Sequence, residues 1–311
     1  MGSSPSSFSV SLCLCVRTVL RFLPLLLGLC LLAACSPRRV AESLLLGSHF
    51  ALTQRVAYGP EARQELDVYR PLEARAPAPV VVFLYGGRWS SGSRDEYRLV
   101  GDALTRRGWV AVIPDYRLAP AASFPAWVED GARAVRWARD NAARFGGDSA
   151  RMFVVGHSAG GHTVALLALD EHFLRDAGVP AGAVKGFAAL AGPVDTPWTD
   201  PDVQALMGPR AGWPATYPAT HVDGAEPPLL LLHGGGDRTV SVQSSVRLAA
   251  RIRERGGCSR AVVYPGVGHV QIVVALAAPR LGIATVLDDL DAFVRDPRRV
   301  ACPRGAETAA P

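Results

Sequence analysis

The sequence predicts an α/β fold in which a mostly parallel central sheet carries helices on both faces. Two observations lead there. Short, near-continuous apolar runs recur along the chain, as at Val80–Tyr85, Met152–His157 and Leu229–His233, and they are too uniformly apolar for strands with one wet face. Between them lie stretches whose apolar residues recur at helical spacing, and a strand that returns parallel to its predecessor needs such a crossover.

The elements follow in order. Strand-like runs fall at about Gln64–Arg70, Val80–Tyr85, Trp109–Pro114, Met152–His157, Lys185–Ala191, Leu229–His233 and Ala261–Tyr264. Trp127, Gly131, Ala134, Val135, Ala138, Ala142 and Phe145 give one helix an apolar face to lay on the sheet, and Gly146-Gly147 stops it. From Ala191 to Leu229 prolines at 193, 197, 201, 209, 214, 218, 227 and 228 break helices and stiffen loops, a poor composition for a swinging lid. Trp198, Leu206, Met207, Trp213 and Tyr217 there are expected either to wall an acyl or aromatic pocket, with Trp89 and Val40–Thr53 opposite, or to pin the loop to the core. Residues 303–311 read as a frayed tail.

The N-terminus reads as an address label. Arg17 and Arg21 precede the apolar run Phe22–Ala34, and Leu32-Ala-Ala-Cys35 resembles the bacterial lipoprotein processing box, which would leave Cys35 lipidated; Ser36 after it resembles outer-membrane cargo. The division is residues 1–35 as signal peptide and lipobox, 36–54 as linker or partial cap, and 55–311 as one catalytic-size domain. An exported lipoprotein facing the periplasm or surface, bound to the membrane through its lipid, is the expectation. Three of six cysteines leave with the leader; Cys258 and Cys302 remain as a candidate disulfide.

With 311 residues and 49% hydrophobic composition, the chain can bury one large core. Its net charge of +5 includes the two leader arginines, so the exported part carries +3, spread as arginines among acids. That is a solvated surface and excludes a nucleic-acid stripe. No CxxC, HExxH or Walker sequence occurs, so no metal, nucleotide or other cofactor is expected.

Chemistry concentrates in four segments. Gly156-His-Ser-Ala-Gly160 places Ser158 in a G-x-S-x-G frame between a strand and a helix, where a tight, strained turn presents a nucleophile. A serine hydroxyl needs a base, an acid that orients the base, and donors for the developing oxyanion. His269 follows the last strand and is the base. Asp237, in the glycine-rich turn after Leu229–His233, is the acid, with Asp195 after the preceding strand as the alternative. Gly86 and Gly87, ending the Pro79–Tyr85 strand, can offer backbone N–H groups without a side chain in the way, and Ala159 offers the N–H after the nucleophile. Of the other histidines, His157 should pack or hydrogen-bond beneath the sheet, His162 should line the pocket, stand in solvent or cap its helix, and His233 should brace the acid turn.

The chain order Ser, Asp, His is that of the α/β-hydrolases. Tyr85-Gly-Gly-Arg-Trp89, Pro114-Asp-Tyr-Arg-Leu-Ala-Pro120, Gly146-Gly-Asp148, Gly156-His-Ser-Ala-Gly-Gly161 and His233-Gly-Gly-Gly-Asp237 together resemble the carboxylesterases related to hormone-sensitive lipase, and more closely the feruloyl-esterase-like and prenylcysteine-methylesterase-like bacterial branch. The resemblance spans about Arg55 to Arg295. Tyr85 and Arg88 depart from it, standing where many members read His-Gly-Gly-Gly. It implies a serine carboxylic-ester hydrolase acting on small to medium esters without a cofactor. An amidase or arylformamidase is the alternative within enzymes, and a non-catalytic envelope binding protein on a hydrolase fold the alternative of another class.

Overall fold

The computed structural model describes residues 50–73 and 77–302. The signal segment, the lipobox with Cys35 and the tail from residue 303 lie outside the described residues. Eight strands form one sheet in the order β1-β2-β4-β3-β5-β6-β7-β8. They are β1 (Phe50–Ala57), β2 (Glu65–Pro71), β3 (Ala78–Leu84), β4 (Val110–Pro114), β5 (Gly147–His157), β6 (Val184–Leu190), β7 (Leu229–Gly234) and β8 (Ser259–Tyr264). β1 and β2 pair antiparallel at one edge, and from β4 to β8 every pairing is parallel.

The sheet thus begins inside the segment read as linker. β1 mixes polar and apolar residues in the string FALTQRVA and has no buried residue, so it carries no apolar run. It is held by pairing with β2, which runs Phe50↔Pro71 to Ala57↔Glu65 across a break between Thr53 and Val56.

The parallel strands are the core. Every residue of β3 and β4 is buried, and Leu229 to Leu232 of β7 are 0% exposed, each such leucine contributing about 1.5–3 kcal/mol. The main crossover helices are α1 (Arg98–Arg106), α2 (Ala126–Asn141), α3 (Ala159–Leu169) and α7 (Val242–Glu254), with short helices α4 (Glu171–Asp176), α5 (Pro201–Leu206) and α6 (Trp213–Thr216) between them; α8 (Gln271–Ala277), α9 (Val286–Arg295) and α10 (Pro297–Ala301) follow the last strand. On α2 the expected face is buried from Trp127 to Ala138, and the chain leaves through a short 3₁₀ turn ended by Gly146 in the left-handed region, φ 75°. Every residue of α3 is buried, as a helix apolar all round must be. Cys258 and Cys302 form a disulfide with 4.8 Å between Cα atoms, joining the turn before β8 to the end of α10.

Strand order positions the site. The chain steps from β3 outward to β4, then crosses back over β3 to β5. Between β3 and β5 the direction of winding reverses, and the loops leaving their carboxyl ends part to leave a crevice. Gly86-Gly87 follows β3 and Ser158 follows β5, so both flank it.

Candidate active site

Ser158 occupies the turn from β5 into α3 with φ 55° and ψ −117°, a conformation that an L-residue adopts only under strain of about 1–3 kcal/mol. The neighbouring glycines make the turn possible. A Cβ on Gly160 would stand 2.1 Å from the Leu84 carbonyl oxygen, and one on Gly156 would stand 2.5 Å from that of Gly160.

The elbow lifts the hydroxyl to the histidine loop after β8. Ser158 Oγ lies 2.8 Å from His269 Nε2, and His269 Nδ1 lies 2.7 Å from Asp237 Oδ2. A carboxylate can only accept, so Nδ1 carries the proton and Nε2 faces the hydroxyl as a lone pair. Asp237 is fixed in turn: Oδ1 accepts from the amides of Thr239 at 2.8 Å and Val240 at 2.9 Å. His233 donates from Nε2 to Asp237 Oδ2 at 3.2 Å and to the Val240 carbonyl at 3.1 Å, and its Nδ1 accepts from Ser245 Oγ at 2.8 Å. Burial pushes the Asp237 carboxyl up, but the hydrogen bonds from His233, His269 and the two amides outweigh it and hold the group well below the usual carboxylate range.

Asp195 does not join them. Its carboxylate accepts from Arg247 Nε at 2.8 Å, and its amide donates to Ser244 Oγ at 2.9 Å. Of the two acids left open by the sequence, only Asp237 meets His269.

Gly86 lies directly beside the nucleophile, since a Cβ there would stand 2.9 Å from Ser158 Cβ. Gly86 and Gly87, following β3, together form this side of the crevice. Opposite is Ala159, whose amide begins α3 and so has no partner within the helix.

The departures from the expected motif have structural substitutes. The Tyr85 hydroxyl donates to Asp115 Oδ1 at 2.7 Å and accepts from Arg63 at 2.8 Å, while Tyr116 donates to the Tyr85 carbonyl at 2.7 Å. Asp115 is itself held by the Arg94 amide at 2.8 Å and by the Arg94 guanidinium, which also meets Asp67 at 3.0 Å and Glu65 at 2.9 Å. In the same motif Arg117 binds Asp130 at 2.8 Å. Through Asp115 and Tyr116 the segment Pro114–Pro120 therefore braces the turn that begins at Tyr85, a role that sequence reasoning missed because these partners are 30 and 31 residues away. Arg88 takes the left-handed backbone that a glycine would prefer, φ 54°, and reaches Asp200 Oδ2 at 2.7 Å; Asp200 caps α5.

His162 meets none of the three expectations, neither lining an open pocket nor standing in solvent nor capping its helix. It is fully buried, edge-on to Trp89 and Trp198 at 5.1 and 5.4 Å, and donates from Nε2 to the Thr216 carbonyl at 2.8 Å. Trp198 donates to Thr216 Oγ1 at 2.6 Å and stacks on Tyr217. Trp89, Trp198 and Met207 are buried, so these three pin the proline-rich segment to the core. Burial lowers the His162 imidazole to about 4, with its bond to Thr216 opposing, and keeps it neutral. Cavities of about 700 and 540 Å³ open at the far end of the strands, beside Arg151, Val184 and Pro227, away from Ser158.

Residues 66–252 match the family described as BD-FAE. The chain belongs to the BD-FAE family. Its BD-FAE sheet and serine elbow are those of an α/β-hydrolase of the esterase branch that the motifs resemble. Among its relatives is esterase LipC of Mycobacterium tuberculosis, 34% identical over 70% of this chain and 59% of that protein. A probable isoprenylcysteine alpha-carbonyl methylesterase of Arabidopsis thaliana, ICMEL1, is 24% identical over 76% of this chain and 54% of that protein. The chain thus spans little more than half the length of these curated relatives. Among solved structures, the hyperthermophilic esterase of Pyrobaculum calidifontis superposes with a TM-score of 0.65 at 25% identity, covering 82% of this chain and 88% of its own.

Proposed function

We propose that this BD-FAE protein is a serine carboxylic-ester hydrolase that works through an acyl-enzyme on small to medium esters. The observation that carries the reading is the unbroken relay from Ser158 Oγ through His269 to Asp237, at 2.8 and 2.7 Å, with the serine on a strained elbow. The esterase names of its relatives support it.

In this mechanism Ser158 Oγ attacks the ester carbonyl as its proton passes to His269 Nε2, and Asp237 stabilises the resulting imidazolium. Charge arriving on the carbonyl oxygen is met by the amides of Gly86 or Gly87 and of Ala159; losing one such donor typically costs about 3–4 kcal/mol. When the carbon–oxygen bond to the alcohol breaks, the leaving oxygen takes the proton from His269. Water then attacks the acyl-enzyme, gives its proton to the same nitrogen, and the acid leaves as Ser158 recovers its proton. The test is turnover of p-nitrophenyl acetate together with labelling by a fluorophosphonate probe. Wild type should do both and Ser158→Ala neither; labelling that survives in the variant overturns the assignment.

We further infer export to the cell envelope with a lipid on Cys35, facing the periplasm or surface. The box Leu32-Ala-Ala-Cys35 supports this, and so does the Cys258–Cys302 disulfide, a bond that persists in oxidising compartments. No described helix is long and apolar enough to cross a membrane. Cys35→Ser should abolish acyl labelling and membrane retention; a wild-type protein found unacylated, with Ser36 as its N-terminus in the soluble fraction, refutes it.

A further inference from the structure

One buried titratable side chain touches the site and has no part in the relay. His157 ends β5, immediately before the nucleophile, and is 5% exposed. The elbow that sends Ser158 toward the crevice sends the His157 ring toward the loop after β8. There its Nε2 lies 2.9 Å from the His269 backbone carbonyl, and the two imidazoles face each other at 5.0 Å. A carbonyl can only accept, so the proton is on Nε2. Nδ1 is left as a buried lone pair without a hydrogen-bond partner, beside Gly86, where a Cβ would come within 3.0 Å of it. One ring therefore touches the oxyanion turn, adjoins the nucleophile and holds the backbone of the base.

We propose that His157 is a positioning residue that fixes the location of His269 relative to Ser158 by tying the backbone of the histidine loop to the end of β5. The inference rests on the serine relay proposed above. The loop that carries His269 is anchored two residues earlier, where the Gly236 amide donates to the Val267 carbonyl at 2.9 Å, and Gly268 is tied locally to Gln271 and Ile272; among the described residues, the hydrogen bond that reaches the main chain of His269 itself is the one from His157. Gly266, in the left-handed region at φ 70°, and Gly268 stand on either side of that anchor, and a glycine between it and His269 restrains the backbone less than any other residue would. Asp237 orients the imidazole from its side-chain end only; His157 restrains the other end, the main chain.

An imidazole suits this place because it stays neutral there. Burial lowers it to about 4, with the neighbouring His269 and His233 acting in the same direction and the bond to the His269 backbone and the Asp237 carboxylate opposing. A cation 5 Å from His269 would disfavour the imidazolium that His269 must become. A neutral N–H donor holds the loop without that cost. Nor can His157 serve as a second base, since its lone pair is packed against Gly86 out of reach of substrate.

The test compares two amides of different length. The amide nitrogen of His157→Gln reaches about where Nε2 stands, whereas that of His157→Asn reaches only to Nδ1, so both keep an N–H and only one can meet the His269 carbonyl. In the full chain, His157→Asn should lower kcat for p-nitrophenyl acetate about 10- to 100-fold, the cost of roughly 1 Å of misplacement. KM should change less than about twofold, and the rate of fluorophosphonate labelling should fall in parallel. His157→Gln should recover kcat to within about threefold of wild type. A folded Asn variant with wild-type kcat overturns the proposal, as does equal loss in both variants at equal Tm. If the Asn variant does not fold, a His157→Gln protein of normal Tm that loses more than about tenfold overturns it alone. Ser158→Ala in the same assay separates the readings. If it still turns over, the relay itself is wrong; if it is dead while Asn matches wild type, only the role of His157 fails.

Discussion

Asp237→Asn reaches the centre of the relay and separates the two acids by a wide margin. The Asp237 side chain is fully buried and accepts from His269, His233 and the amides of Thr239 and Val240. An asparagine can keep its oxygen on the two amides, but its NH2 group then faces the N–H groups of His269 and His233, donor against donor. His269 relieves the conflict by moving its proton to Nε2, which leaves no lone pair to take the Ser158 proton. A wrong tautomer of this kind costs about 10⁴ in kcat in the trypsin-type triad, or about 5.5 kcal/mol of transition-state stabilisation. Asp195→Asn should cost little, because its partner Arg247 is half exposed and such pairs are worth about 0–1 kcal/mol. The assay is kcat for p-nitrophenyl acetate, with circular dichroism to show that each variant folds. A reversed ranking, or a loss below about tenfold in folded Asp237→Asn, would refute the reasoning.

Three further outcomes follow from the packing. Buried His162 and His157 titrate near 4 in the folded protein against about 6.5 unfolded, so the unfolded chain binds more protons between those values and stability falls as pH drops from 6.5 to 4, by up to about 3 kcal/mol per ring. In urea titrations at several pH values, His162→Phe should lose its share of that slope, and an unchanged slope would count against its buried, neutral state. Replacing Cys258 and Cys302 by serine opens a loop of 44 residues, worth about 4 kcal/mol on a chain-entropy basis; an unchanged midpoint in denaturant would show that the bond adds nothing. The segment between β6 and β7 is pinned by His162 to Thr216 at 2.8 Å, Phe124 to Leu206 at 3.0 Å and Arg88 to Asp200, so rates on short-chain esters should show no jump as substrate passes its micellar threshold, and such a jump would reveal a mobile lid.

What was legible in the sequence was whatever chemistry depends on local spacing. The strands from β3 to β7 announced themselves as apolar runs because both their faces are covered over those runs, and Ser158 and Asp237 each stand in a turn after such a run; His269 follows β8, whose Ala261–Tyr264 stretch reads as a strand although it is only partly buried. β1 escaped because an edge strand with no buried residue gives no period to read. His162 escaped for the opposite reason: next to a nucleophile a histidine suggests function, yet whether its ring meets substrate or two tryptophans is decided by α6 and Trp198, some 36 to 54 residues later.

The departures at Tyr85 and Arg88 join the two kinds of information. Sequence alone marks them as substitutions in an oxyanion turn and leaves its support open. The fold supplies that support from Asp115, Arg63 and Tyr116, which hold Tyr85 at its hydroxyl and at its carbonyl. Arg88 and Trp89 both sit in the left-handed region, at φ 54° and 57°, and strain of about 1–3 kcal/mol at each persists only where surroundings fix the backbone. Trp89 is fixed between Trp127, His162 and Trp198, and Arg88 is tethered to Asp200. The aromatic cluster that pins the proline-rich segment thus also holds the oxyanion turn in its strained shape, so loosening that cluster should weaken transition-state binding before it disturbs the relay from Ser158 to Asp237.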